Sequence, residues 1–178
     1  MLNALVTDPE QGTIDSPLHP SQVELLPGVP QALARLESLG FALVIVSNQP
    51  AAAKGKTTRA NLDQTQAEVI KRAQSAGAHI QASYVCFHRA EDRCACRKPG
   101  VALLEQAFRD HPRAKREASW MIGDGITDVQ AGQRFGLKTA FIARHKCDTC
   151  QVVQDGGADP TLWAQSLTDF AERLAAVA

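Results

Sequence analysis

The sequence predicts an α/β protein, a three-layer doubly wound parallel sheet formed by residues 1–178 as one domain, on three observations. Short β-type apolar runs alternate with longer segments of helical periodicity along the whole chain. The run "FALVIVSNQ" is almost continuously apolar, as a strand covered on both faces must be. No repeat, low-complexity tract or linker interrupts the alternation.

Each element has its own warrant. "LNALVTD" reads as a first strand ending at Asp8, and "VPQALARLESLG" has apolar residues at helical spacing with a Gly stop. "FALVIVSNQ" follows as a strand, then a helix from about Thr58 to Ala76 and the strand "IQASYVCFH". A helix over about Gly100 to Asp110 precedes the strand "ASWMIGD". A helix over about Thr127 to Phe135, the strand "KTAFIA" and a terminal helix over about Leu162 to Ala176 complete the series. Strands and helices in alternation imply right-handed crossovers and one parallel sheet, in which ligands bind at the carboxyl ends of the strands. That rule selects Asp8, Ser47 with Asn48, the Cys86 region and Asp124.

Composition narrows the partners. The 178 residues carry 19 basic and 19 acidic side chains, and neither sign forms a block. A nucleic-acid arm or a membrane-binding face is therefore not expected. No segment approaches the ~20 apolar residues of a membrane span, and "MLNALVTD" has no basic leader, so a cytoplasmic protein is expected. The five cysteines, odd in number and set at C-x-H and C-x-C spacing, suit thiolate metal binding in a reducing compartment better than a disulfide framework.

At the strand ends, "VTDPEQGT" offers Asp8 and Glu10, two carboxylates that could divide the roles of nucleophile and general acid, or could be ordinary turn residues. "IVSNQ" offers a hydroxyl and an amide beside outward-pointing N–H groups, a suitable lining for a phosphate or a self-capped turn. "MIGDGITD" places Asp124 next to Gly125, where a hard Mg²⁺ ion would find a carboxylate. Asp128 either joins it or sits in the first helical turn for the helix dipole. The strongest local signal is "CFHRAEDRCAC": Cys86, His88, Cys94 and Cys96 form a Cys₃His set for tetrahedral Zn²⁺ with no open position. Its role would be structural, fixing a loop and aiming Arg97 and Lys98 at the strand ends. Cys147 and Cys150, a C-x-x-C with no second pair, read as incidental thiols.

Asp8 with Glu10, Ser47-Asn48-Gln49, Arg97-Lys98-Pro99 and Gly123-Asp124 resemble, in this order, the motifs of the haloacid dehalogenase-like (HAD) phosphatases. The paired ligands before "CRKP" resemble the zinc-containing branch of heptose bisphosphate and histidinol-phosphate phosphatases. The resemblance covers about residues 2 to 143 and implies a small capless phosphatase, taken here as a monomer, that acts on a small soluble phosphorylated metabolite. It implies Asp8 as nucleophile, Glu10 as acid/base, and Ser47 and Lys98 as phosphoryl ligands. It also implies Mg²⁺ on Asp8, Asp124 and the Glu10 main-chain oxygen, with Asn48, Gln49, Arg97 and Gly125 near substrate.

The first motif departs from the branch, reading Asp8-Pro9-Glu10-Gln11-Gly12-Thr13 with one residue more than usual and Glu in place of the second Asp. A sugar phosphate such as D-glycero-D-manno-heptose 1,7-bisphosphate is the expected substrate. Histidinol phosphate, favoured by the short His88 to Cys94 spacing, and a catalytically silent binding protein are the alternatives.

Overall fold

The computed structural model describes residues 1–8, 12–143 and 156–176, with Asp8 described by its backbone alone. Residues 9–11, 144–155 and 177–178 lie outside, and with them Glu10, Cys147 and Cys150.

The central parallel strands form where the longest apolar runs predict them. Strand β3 (Leu43–Asn48) pairs parallel with β4 (Ile80–Cys86) through the crossover helix α2 (Arg59–Ser75). Strand β5 (Trp120–Gly123) pairs parallel with β6 (Lys138–Ile142) through α4 (Ile126–Phe135), and β6 pairs parallel with β7 (Leu162–Ala164). Helices α1 (Val29–Ser38), α3 (Ala102–Asp110) and α5 (Leu167–Ala175) complete the layers.

Side chains alternate across the strands, which is why both faces need a helical cover. Leu43 and Ile45 of β3, Trp120 and Ile122 of β5, and Ala140 and Ile142 of β6 pack with α1 and α5 around Phe170, which is fully buried. From the opposite face, Val46 and Met121 pack with Leu104, Ala131 and Phe135 of α3 and α4. Tyr84 and Cys86 of β4 pack there against Leu103 and Ala107. The helix–sheet–helix layering is the doubly wound arrangement expected.

Two expectations need correction. The first run does not join the parallel sheet: β1 (Val6–Asp8) and β2 (Thr13–Asp15) form an antiparallel hairpin, and Asn3 bridges antiparallel to Leu25. An antiparallel pair can be closed by a few residues, whereas a parallel pair needs a long crossover, and Gly12, at φ +62°, supplies a left-handed turn position here. Asn3 also breaks the apolar continuity that a fully covered strand requires.

Among the described residues, the parallel ladders therefore form two blocks, β3–β4 and β5–β6–β7. A cavity of about 1120 Å³ opens between them, walled by Val44 and Val46 on one side and Trp120 and Ile122 on the other. Leu5 and Ile14, at 63% and 65% exposure, are the largest departures from the expected burial.

The second correction is at the carboxyl end, where a helix is expected from Leu162. Leu162–Ala164 is instead a strand, and the helix begins only after Ser166, whose hydroxyl accepts from the Asp169 N–H. The capping residue resets the start of the helix and releases "LWA" to pair with β6.

Candidate active site

Residues at the carboxyl ends of β3 and β5 both line this cavity. Ser47, Asn48 and Gln49 reach it from β3, Gly123 and Asp124 from β5, Asp128 from the first turn of α4, and Lys98 from the loop after Cys96. Ser47, Lys98 and Asp124, far apart in sequence, thus line one space; Arg97 and Gly125 do not line it, and Asp8 ends β1 in the hairpin with its side chain outside the described residues.

Lys98 is the electrostatic centre. It is only 8% exposed, and its ammonium lies 2.7 Å from Asp128 Oδ1 and also donates to the Val46 carbonyl. Taking a charge out of water costs several kcal/mol unless it is paired and hydrogen-bonded, and both partners are present. Asp128 is fixed in turn: its Oδ2 accepts from the Gly125 N–H at 3.1 Å, satisfying a donor at the start of α4. This carboxylate packs so closely on Gly123 that a Cβ there would lie 2.1 Å from Oδ2. The second acid of "GDGITD" is therefore the counter-charge that holds the lysine, beyond any role in the helix dipole.

The main chain around Lys98 is also held. Asn48 Nδ2 donates to the Lys98 carbonyl at 3.1 Å, and the Lys98 N–H donates to Asn48 Oδ1 at 3.0 Å. Arg134 Nη1 donates to the Pro99 carbonyl at 3.1 Å, and Arg97 Nη1 to the His88 carbonyl at 3.2 Å. The Gln49 side chain donates to Ser47 Oγ at 3.2 Å, and its N–H continues the strand by donating to the Cys86 carbonyl. Asp124 Oδ2 lies 2.8 Å from the Met1 amino group.

The sulfur cluster forms where β4 ends. Cys86 is its last residue and 1% exposed, and the ligand atoms of Cys86, His88, Cys94 and Cys96 all lie within 4.8 Å of one another. Bonds of about 2.3 Å in a tetrahedron place sulfurs about 3.8 Å apart. The Cys86–Cys94 and Cys94–Cys96 separations are 3.6 and 3.4 Å, while Cys86–Cys96 is closer, at 2.7 Å. His88 Nδ1 lies 3.5 Å from Cys86 and 3.2 Å from Cys96, so one ring nitrogen faces the centre.

The thiols influence one another's titration. Burial pushes the Cys94 thiol up, but hydrogen bonds from the Arg97 main chain and the neighbouring thiols outweigh it and bring its pKa to about 7. Burial and then the adjoining sulfurs push Cys96 up to about 12.

Arg134, whose guanidinium holds the Pro99 carbonyl, carried no signal in the sequence strong enough to single it out. Gly123 was read as half of the Gly123-Asp124 motif but not as the surface on which the Asp128 carboxylate packs, although a glycine between a strand and an acid marks a close approach.

Comparison with known proteins agrees with this geometry. Residues 95–170 match the family model described as HAD-hydrolase-like. The D-glycero-beta-D-manno-heptose-1,7-bisphosphate 7-phosphatase of Helicobacter pylori is 30% identical over 152 residues, 85% of this chain and 82% of that protein. The histidine biosynthesis bifunctional protein HisB of Legionella pneumophila is 30% identical over 149 residues, and the chain spans 41% of its length. The crystal structure of D,D-heptose 1.7-bisphosphate phosphatase from B. bronchiseptica, complexed with magnesium and phosphate, superimposes with a TM-score of 0.82 at 25% identity, covering 100% of this chain and 94% of that one. With this relative and this fold, the chain belongs to the phosphatases of the haloacid dehalogenase-like family.

Proposed function

We propose that the chain is a Mg²⁺-dependent, cytoplasmic, monomeric phosphatase, one domain over residues 1–178, that hydrolyses D-glycero-D-manno-heptose 1,7-bisphosphate. The observation that carries the reading is the buried Lys98 ammonium, set in one cavity with Ser47 and Asp124 at the ends of adjoining strand blocks. An anion attacking a phosphate ester needs fixed positive charge and aligned donors at the transferring group, and a lysine already paired inside the protein needs little reorganisation to supply them. The similarity to the heptose bisphosphate phosphatases of Helicobacter pylori and Escherichia coli, 30% and 31% identical, supports the substrate.

An Asp8 carboxylate oxygen attacks phosphorus, the ester P–O bond breaks, and Glu10 gives its proton to the departing alcohol. Glu10 then takes a proton from water as that water's oxygen attacks the aspartyl-phosphate, and Asp8 leaves as carboxylate with release of inorganic phosphate. Ser47 and Lys98 hold the phosphoryl oxygens throughout. The oxygen donors of Asp8, Asp124 and the Glu10 main chain suit Mg²⁺, which would neutralise charge on the phosphoryl group. The Cys₃His set suits Zn²⁺, which would close the loop carrying Arg97 and Lys98.

Histidinol phosphate is the second reading, favoured by the similarity to HisB. Purified protein assayed with both substrates and Mg²⁺ decides between them: a higher kcat/KM on the heptose bisphosphate supports the first reading, and a higher value on histidinol phosphate replaces it. Asp8→Asn removes the nucleophile and abolishes turnover of either. Retained turnover in that variant would show the nucleophile to be elsewhere.

A further inference from the structure

The Asn48 side chain stands where a phosphate ligand is expected, at the end of β3 next to Ser47. Its amide is already committed. Oδ1 accepts from the Lys98 N–H at 3.0 Å and Nδ2 donates to the Lys98 carbonyl at 3.1 Å, a two-point grip on the backbone of one residue across 50 positions of sequence. A side-chain amide that accepts from and donates to the backbone of one residue has a single N–H left for anything else.

We propose that Asn48 is a positioning residue: it fixes the Lys98 backbone so that the lysine ammonium is held at the strand ends, and it does not itself bind substrate. The proposal rests on the reading of Lys98 as a phosphoryl ligand.

Three features support the assignment. Reciprocal hydrogen bonds fix both distance and orientation, and neither can be replaced by water without loosening the other. The Lys98 ammonium is bound to the Val46 carbonyl and to Asp128, contacts it can make only from a backbone held at the right distance from them. Val46 and Asn48 belong to the same strand, and β3 therefore holds Lys98 at its main chain and at its ammonium. Gln49 differs, since its side chain contacts the Ser47 hydroxyl and not the lysine loop.

The test uses wild type, Asn48→Ala, Lys98→Ala and the double variant, with para-nitrophenyl phosphate and the heptose bisphosphate as substrates. Asn48→Ala is expected to lower kcat on the order of a hundredfold, since ~1 Å of misplacement has that effect. The loss is expected to be equal on both substrates, with KM little changed, and the double variant to be no slower than Lys98→Ala alone. A loss confined to the sugar substrate, a rise in KM alone, or multiplying losses in the double variant would overturn the proposal by showing direct contact with substrate.

If Lys98→Ala keeps wild-type turnover, the reading of Lys98 falls first, which separates that failure from this one. Should Asn48→Ala not fold, Asn48→Asp keeps the acceptor for the Lys98 N–H and removes the donor to its carbonyl. An intermediate loss of kcat, again equal on both substrates, supports positioning, and an unchanged kcat overturns it. In lysine-selective ¹⁵N spectra of the folded variants, faster amide exchange at Lys98 is expected in Asn48→Ala, and an unchanged rate counts against the proposal.

Discussion

The Lys98 ammonium and the Asp128 carboxylate lie 2.7 Å apart, both buried, at the mouth of α4. Attraction between them offsets their desolvation only while both are present. Asp128→Ala strands the lysine charge in a dry setting, and we expect it to lower unfolding free energy by about 3–5 kcal/mol. Urea titration checks this. A loss under about 1 kcal/mol would mean that Lys98 reaches solvent once its partner is gone.

Gly123 is the floor on which this pair rests. A methyl group there would meet Asp128 Oδ2, Cγ and Cβ at 2.1, 2.3 and 2.4 Å, and the Cβ cannot swing aside. Gly123→Ala is expected to cost about 1–3 kcal/mol through overpacking and to reduce turnover by pushing Asp128 off Lys98. Thermal unfolding and kcat measured on the same preparation test both effects. Full activity at wild-type Tm would show that the end of β5 yields freely.

The sulfur cluster predicts a linked loss. Cys94→Ser, or treatment with a strong chelator, is expected to lower zinc content, stability and turnover together, because a structural metal contributes folding free energy as well as loop position. Elemental analysis, calorimetry and steady-state kinetics provide the three readouts. Undiminished turnover in zinc-free protein would separate the loop from the chemistry.

A pH test lies at the other end of the chain. Asp169 Oδ2 accepts from the Gln165 N–H at 2.8 Å, and Oδ1 accepts from Arg173 at 2.7 Å. The Gln165 hydrogen bond, and then Arg173, hold its carboxyl below the ordinary value. A depressed carboxylate contributes stability that is present above its unfolded pKa and lost as pH falls through the folded one. Asp169→Ala is therefore expected to cost about 0.5–1.5 kcal/mol at neutral pH, the usual net range for a hydrogen bond. The difference from wild type should shrink on acidification below the ordinary Asp range. A gap that stays constant with pH would assign the effect to packing.

Much of the fold was legible because it depends on local pattern. The runs "FALVIVSNQ", "IQASYVCFH" and "ASWMIGD" contain strands that end at Asn48, Cys86 and Gly123, and α2 spans Arg59–Ser75 where about Thr58 to Ala76 was expected. The β1–β2 hairpin and β7 were not legible, because a three-residue strand is defined by the partner it finds and not by its own periodicity. At the candidate site, residue types and order placed Ser47, Lys98 and Asp124 together. The same reading offered Asp128 two roles and gave it neither of its two partners, Lys98 and the Gly125 N–H. Partner choice depends on geometry across some tens of residues, which spacing alone does not encode.

Cys86 ends β4, faces α3 and contributes a sulfur to the cluster, all at 1% exposure, whereas Cys94 and Cys96 are only half-buried. The three thiols therefore keep different clocks. With no metal ion among them, an alkylating reagent can reach Cys94 and Cys96 directly, but it must wait for the end of β4 to part from α3 before it can reach Cys86. The lag between alkylation of Cys94 and Cys96 and that of Cys86, followed residue by residue, then measures how often this edge of the core opens in the folded protein.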